Sequence, residues 1–196
     1  MRRMPRVNKE KGYWQGDNPP HMTSIDLQKY LVKFCKNNDI KSVIDFGCGD
    51  ASYIKEIKNN CKNLERIEAF DGNPNTEYLT NGFGKCQDLT SQFNLNYKFD
   101  LVLSFEVAEH IPKNYETVYV NNLLNHTKEH LVISWAVKGQ GGSGHFNEQN
   151  NDYVIDLFTN LGLEYKKEET LKFRDFKFSK CKWFKNTILY FKRTVD

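Results

Sequence analysis

The chain has 196 residues, of which 39% are hydrophobic and 27% charged, with a formal net charge of +3. That length suits one domain with a sizeable core, and a pI of about 8.5 falls short of the roughly pH 9 expected of a dedicated nucleic-acid module. No run reaches the ~18 apolar residues of a membrane span, Met1–Lys11 reads as carrying no secretory signal, and five cysteines without a CxxC fit a reducing, cytoplasmic setting better than a disulfide or zinc framework.

Residues 1–22 read as an irregular arm containing Tyr13, Trp14 and Pro19-Pro20. A helix is expected from Ser24 to Lys36, capped by Thr23 or Ser24 and carrying Asp26 in its first turn. Alternation then begins. Ser42 to Phe46 reads as a buried strand, Ala51 to Asn59 as a helix, Arg66 to Phe70 as a second strand and Lys85 to Gln87 as a short third. Phe99 to Ser104 reads as a fourth strand, Val107 to His110 and Tyr115 to Asn125 as helical, and Leu131 to Ala136 as a fifth strand. A glycine-rich loop spans Lys138 to His145, and Asn150 to Leu161 reads as a helix closed by Gly162. Tyr165 to Phe178 and Trp183 to Arg193 read as strands pairing as an antiparallel edge. This predicts an α/β fold: a doubly wound, mostly parallel seven-stranded sheet with an antiparallel C-terminal edge and helices on both faces. The domain is expected to span residues 23–196, with residues 1–22 as arm or lid. His21, His126 and His130 are given no role, the last two being read as surface residues.

The sharpest motif is Val43-Ile44-Asp45-Phe46-Gly47-Cys48-Gly49-Asp50. A buried strand ends in a turn with two glycines, which allow positive φ and close backbone approach to a ligand. Doubly wound sheets bind ligands outside these strand ends. Ser52 stands where a dinucleotide GxGxxG would want its third glycine, which argues against NAD. Asp71 ends the second strand, where an acid binds a ribose diol, and Asp88 follows the third. In this order and spacing, residues 40–136 resemble class I S-adenosylmethionine-dependent methyltransferases. The resemblance implies that Asp45, Gly47, Cys48 and Gly49 line the methionine end. It implies that Asp71, with Gly72 and Asn73, holds the ribose, that Asp88 and Leu89 flank adenine, and that Phe105 and Glu106 lie beside the cofactor.

The stretch Ser104-Phe105-Glu106-Val107-Ala108-Glu109-His110-Ile111-Pro112 follows the fourth strand, where the acceptor would sit. Helical offsets of three and four would put Glu106, Glu109 and His110 on one face. Two readings stay open. Either these are cofactor-side and surface residues, or the carboxylates and imidazole hold Mg²⁺ or Mn²⁺, with His145 as a fourth ligand from the glycine loop. The ExxEH with a distal histidine is similar to small-RNA 2′-O-methyltransferases and, in its ExxEH part, to ubiquinone-pathway O-methyltransferases. His145 is equally a candidate general base, so that His145, His110 and Glu109 form the expected catalytic set.

The function expected is O-methylation of a hydroxyl on a small molecule or glycan. The alternative is RNA methylation, for which the basic and aromatic segment Lys172-Phe173-Arg174 to Lys182-Trp183-Phe184-Lys185 would grip phosphates and stack bases; a charged edge hairpin explains that segment equally well. A cofactor-binding subunit without catalysis is the third reading. No membrane partner is expected.

Overall fold

The computed structural model describes residues 6–16, 19 and 21–194. Residues 1–5, 17, 18 and 20, which belong to the expected arm, lie outside them. In chain order the strands are β1 (Arg6–Val7), β2 (Trp14–Gln15), β3 (Ser42–Phe46), β4 (Arg66–Asp71), β5 (Lys85–Cys86), β6 (Phe99–Ser104), β7 (Thr127–Ser134), β8 (Leu163–Tyr165) and β9 (Ile188–Arg193). The helices are α1 (Ile25–Asn37), α2 (Ser52–Asn60), α3 (Thr76–Leu79), α4 (Glu116–His126), α5 (Asn151–Asn160), α6 (Lys167–Arg174) and α7 (Phe184–Thr187).

Strands β3 to β9 form one seven-stranded sheet in the order β5-β4-β3-β6-β7-β9-β8. Its pairs are parallel except where β9 runs against β7 and β8. The strand order reverses at β3, between β4 and β6, and this switch point opens a crevice at the carboxyl ends of the strands. Alternation along the strands splits the core in two. Val43, Leu101, Leu103 and Val132 pack toward Leu31 of α1, Ile54 of α2 and Phe173 of α6. Ile44, Phe46, Val102 and Ile133 pack toward Tyr119 of α4 and Phe158 of α5. Each such side chain, fully buried, contributes about 1.5–3 kcal/mol. Leu103→Ala, at the sheet centre, should cost about 2–5 kcal/mol.

Local chemistry explains most boundaries. Ser24 caps α1 by accepting the Leu27 amide at 3.2 Å, with Asp26 in the first turn facing the helix dipole. Gly162, at φ +86°, lets the chain leave α5 through a left-handed turn.

Four expectations need correction. Val107 to His110 is not helical but a pair of tight turns closed by His110 N–H to Val107 C=O and Ile111 N–H to Ala108 C=O. Glu106 before them is left-handed, at φ +55°, and Pro112 follows, so too few residues remain to nucleate a helix. The stretch Tyr165 to Phe178 is mainly helix α6, with Glu168 and Glu169 in its first turn, Lys172 and Arg174 in its last, and Thr170 and Phe173 buried. That charge order suits the helix dipole, and the buried pair has helical, not strand, spacing. His126 and His130 are buried rather than on the surface. His126 accepts the Leu95 amide at Nε2 (3.1 Å), and His130 bonds the Tyr190 hydroxyl at 2.7 Å. Part of the arm is not irregular: among its described residues, β1 and β2 pair as a small antiparallel hairpin. This hairpin lies across the strand-end loops, where Lys11 pairs with Asp88 at 3.0 Å and Asn73 Nδ2 donates to Gly16 C=O at 3.2 Å. Among the described residues no helix is long and apolar enough to cross a membrane.

Candidate functional site

A cavity of about 550 Å³ runs along the carboxyl ends of β3, β4, β6 and β7. Its two ends differ in chemistry.

At one end lie Asp45, Gly47, Cys48, Gly49, Asp71, Gly72 and Leu89. Asp45 closes β3 with its side chain fully enclosed, and its Oδ2 has no hydrogen-bond partner. Burial, reinforced by the charges of Asp71 and Asp50, pushes its carboxyl up to about 8. An unpartnered buried carboxylate oxygen is costly, and a cationic group entering the cavity would relieve it. Asp71 shapes the turn as well as facing the cavity: its oxygens accept the Gly49 amide at 3.0 Å and the Asn73 amide at 2.9 Å. Burial, with Asp45 and Asp71 nearby, holds the Cys48 thiol well above its ordinary value, so it stays a neutral wall.

At the other end Glu109, His110 and His145 converge, with ligand-capable atoms all within 4.8 Å of one another. Glu109 is fully buried and neither oxygen has a hydrogen-bond partner. Burial first, and the Glu106 charge second, raise its carboxyl well above the ordinary range. His110 Nδ1 donates to the Gly144 carbonyl at 2.9 Å, which leaves Nε2 with its lone pair. Burial, helped by His145 and only partly opposed by that carbonyl, pushes His110 down to about 4. His145 crosses His110 edge-on, ring centroids 5.1 Å apart, and its Nδ1 lies 2.8 Å from Glu148 Oε1. Its ring sits so close over Gly142 that a Cβ there would come within 2.3 Å of Nε2.

The structure thus gathers three of the four residues expected to converge. Glu106 lines the same cavity but stands outside the trio, engaged by Ser134. The Glu106 amide donates to Ser134 Oγ and that hydroxyl donates back to Glu106 Oε1, both at 2.8 Å. Burial raises the Glu106 carboxyl to about 7. Phe105 lines the wall, whereas Asp88 and Asn73 do not. Asp88 spends its oxygens on Lys11, Thr90 and Ser91, and Asn73 is buried, bonding Gly16 and the Asn75 amide.

Several lining residues escaped the sequence reading. His21 lies against Gly49, where a Cβ would come within 2.7 Å of its ring. Tyr53, Gln140 and Phe184 also line the cavity; they come from distant segments and carry no local motif. Glu148, three residues after His145, belongs to none of the expected motifs. Tyr13 and Trp14 of the hairpin reach the wall as well, Trp14 edge-on to His110 at 6.0 Å. Of the aromatics of the basic C-terminal segment, Phe173, Phe178 and Phe184 are core residues, Phe176 and Trp183 pack partly buried against them, and Trp183 and Phe184 line the cavity.

The family described as methyltransferase domain matches residues 24–134. Among solved structures, the chain is similar to the magnesium protoporphyrin IX methyltransferase ChlM of Synechocystis PCC 6803 with bound SAH, at 15% identity over 91% of this chain and 90% of that one, TM-score 0.62. It is similar to the small RNA methyltransferase HEN1 at 14% identity, over 93% of this chain and 28% of that one, TM-score 0.64. A third likeness is the plantazolicin methyltransferase BpumL in complex with SAH, at 11% identity over 86% of this chain and 82% of that one, TM-score 0.60. At such identities the likeness is one of fold. No curated protein sequence matches the chain.

Proposed function

The chain belongs to the methyltransferase-domain family, and from that premise we propose that this S-adenosylmethionine-dependent methyltransferase methylates a hydroxyl oxygen of a small molecule or glycan. The observation that carries the reading is the convergence of Glu109, His110 and His145 around a buried carboxylate with no partner of its own. We read residues 1–22 as an arm over a single domain spanning residues 23–196.

In this reading the cofactor occupies the Asp45 end and supplies a methyl group made electrophilic by its sulfonium. Asp45 Oδ2 takes the ammonium, and Gly47 and Gly49 admit the methionine backbone. Asp71, with Gly72, receives the ribose hydroxyls, and Leu89 packs on the base. Phe105 and Tyr53 keep water from the methyl. The acceptor oxygen lies at the Glu109 end, aligned for in-line transfer, and alignment alone supplies much of the rate.

The trio also fits a divalent cation. Glu109 offers oxygen, and both imidazoles offer Nε2 because each Nδ1 is held by an oxygen. Carboxylate plus imidazole without thiolate suits Mg²⁺ or Mn²⁺. Such an ion would supply Lewis acidity, lowering the pKa of a hydroxyl beside it. Held there by Glu109, His110 and His145, such an ion would suit an acceptor with vicinal oxygens, such as a sugar or similar diol. One lone pair cannot both hold an ion and take a proton, so the two roles of His145 Nε2 are alternatives. With an ion bound, the acidified hydroxyl would release its proton to solvent; without one, Nε2 would receive it as the oxygen–carbon bond forms and the sulfur–carbon bond breaks, leaving a neutral thioether.

The test is a labelled methyl-transfer screen of monosaccharides, glycans, small hydroxylated acceptors and short RNAs, with and without EDTA. Incorporation into a base-stable ether on a diol-bearing acceptor, lost with EDTA and restored by Mn²⁺, supports the reading. Incorporation into a carboxylate or amine would overturn it. Incorporation into RNA alone would move the acceptor class to nucleic acid.

A further inference from the structure

Glu148 has no part in the expected catalytic set, yet it makes more of the glycine loop's key contacts than any other side chain. Its Oε1 lies 2.8 Å from His145 Nδ1 and accepts the Gly141 amide at 2.7 Å. Its Oε2 accepts the Gly139 amide at 2.8 Å. The bond between Glu148 and His145 is partly buried, the two side chains being 18% and 11% exposed, whereas the bonds to the Gly139 and Gly141 amides are exposed. Burial opposes ionisation of Glu148, but the bonds from His145, Gly139 and Gly141 outweigh it and hold the carboxyl below its ordinary value.

An ionised carboxylate has acceptors and no donor. A nitrogen facing it at hydrogen-bond distance must therefore carry the proton. That fixes the neutral imidazole of His145 as the Nδ1–H tautomer and leaves Nε2 as a lone pair. Nε2 is also the atom poised over Gly142 in the wall shared with Glu109 and His110. The same carboxylate, by tying two loop amides, decides where the ring stands. His110 gets the equivalent service from a backbone carbonyl, which no side-chain substitution removes. His145, on a loop, depends on one residue.

We infer that Glu148 is the positioning residue of this site: it clasps the loop of residues 139–145 and, through its bond to Nδ1, makes Nε2 the lone-pair nitrogen of the neutral His145 ring. What Nε2 then does rests on the function proposed above; the tautomer does not. A carboxylate behind a ligating or proton-accepting histidine is a recurrent arrangement, and its removal commonly weakens metal affinity about 10–100-fold.

The direct test is the ¹⁵N spectrum of histidine-labelled protein at about pH 8.5, above the ordinary histidine range. Wild type should show His145 as Nδ1–H alone. Glu148→Ala should populate Nε2–H, and Glu148→Gln, which keeps the size but can also donate, should give a mixture. Cofactor affinity should stay within about twofold in a folded variant, since Glu148 touches none of the Asp45 end. In a Mn²⁺ titration both variants should bind about 10–100-fold more weakly. The same substitutions on a His145→Ala background should change Mn²⁺ affinity no further, because the effect runs through His145. An Nε2–H tautomer in wild type, an unchanged spectrum in Glu148→Ala and Glu148→Gln, or equal losses on both backgrounds would overturn the assignment. If wild type bound no Mn²⁺ while the tautomer shifted as described, Glu148 would keep its role and the cation would be removed from the proposed function.

Discussion

The two ends of the cavity solve the problem of buried charge differently. At the β3–β4 end, acids are mostly satisfied by backbone: Asp71 holds the Gly49 and Asn73 amides, Asp50 holds the Ser52 amide, and only Asp45 Oδ2 is left unpartnered. These carboxylates build the turn they sit in, so binding and folding are inseparable there. At the β6–β7 end the acids are not satisfied locally. Neither Glu109 oxygen makes a hydrogen bond of good geometry, its burial being offset only in part by the Glu109 and Ala136 backbone; Glu106 bonds Ser134, with Gln140 and Thr187 also favouring its charge; and the imidazoles are held by a separate loop. In the proposed function a ligand, ion or acceptor completes that end's unmet interactions, so that one end serves as a cradle and the other as a reactive corner.

This contrast can be broken by substitution. The largest effect belongs to the reactive corner. His145→Ala should lower kcat by about 10²–10⁴-fold while calorimetry shows nearly unchanged cofactor affinity; full activity in a folded variant would remove His145 from the chemistry. Gly142→Ala comes next. Its Cβ would collide with the end of the His145 side chain and not with backbone, so the fold should survive while the ring moves. A displacement of about 1 Å can cost about 10² in rate, and unchanged turnover would mean that the ring position does not matter.

At the cradle, Asp45→Asn should weaken cofactor binding about 10- to 150-fold, the ~1.5–3 kcal/mol of a charge-assisted hydrogen bond, with little effect on kcat at saturation. The pH dependence has a definite sign. The Asp45 carboxyl lies at about 8 in the free protein and must lose its proton to meet an ammonium, so affinity should rise as the pH climbs from about 6 to 8. Above that the ligand's α-amino group, ordinarily near ~7.7–8.0, loses its own charge, and affinity should fall again. Calorimetry across this range should find the rise absent in Asp45→Asn; a rise that persists would point to another group. The smallest effect should come from Lys11→Ala. Its ion pair with Asp88 is about one-third exposed, and such pairs contribute about 0–1 kcal/mol. Loss of the hairpin contact should shift cofactor affinity by less than about fivefold, and a larger shift would make the hairpin a binding element in its own right.

The same contrast explains what could be read from the sequence. The cradle was legible because its signal is local and repeated: a buried strand, then a glycine turn, then an acid at the end of the next strand. Sheet type and the antiparallel C-terminal edge followed from the alternation of elements. Two members of the expected cofactor set, Asp88 and Asn73, come from the family resemblance; in the structure they hold other partners and lie outside the cavity lining. The corner was half legible. Glu109 and His110 are neighbours in sequence, and His145 was reachable as a histidine after the fifth strand. The helix expected for Val107 to His110 was a misreading of spacing: tight turns bring Glu109 and His110 together, and send Glu106 toward Ser134. Glu148 could not be found this way, because its importance lies in which nitrogen of His145 it faces. Tyr165 to Phe178 reads as a strand, yet its charge order, Glu168 and Glu169 before Lys172 and Arg174, favours the helix α6 that forms there.

The most direct measurement of the central claim is Mn²⁺ binding to the cofactor-saturated protein, followed by electron paramagnetic resonance. The account predicts one site, much weaker but still measurable in Glu109→Gln and in His145→Ala, unchanged in Asp45→Asn, and titrating in parallel with restored methyl transfer after EDTA. Absence of a bound ion, together with hydroxyl methylation indifferent to EDTA, would contradict it and leave His145 as an unaided base.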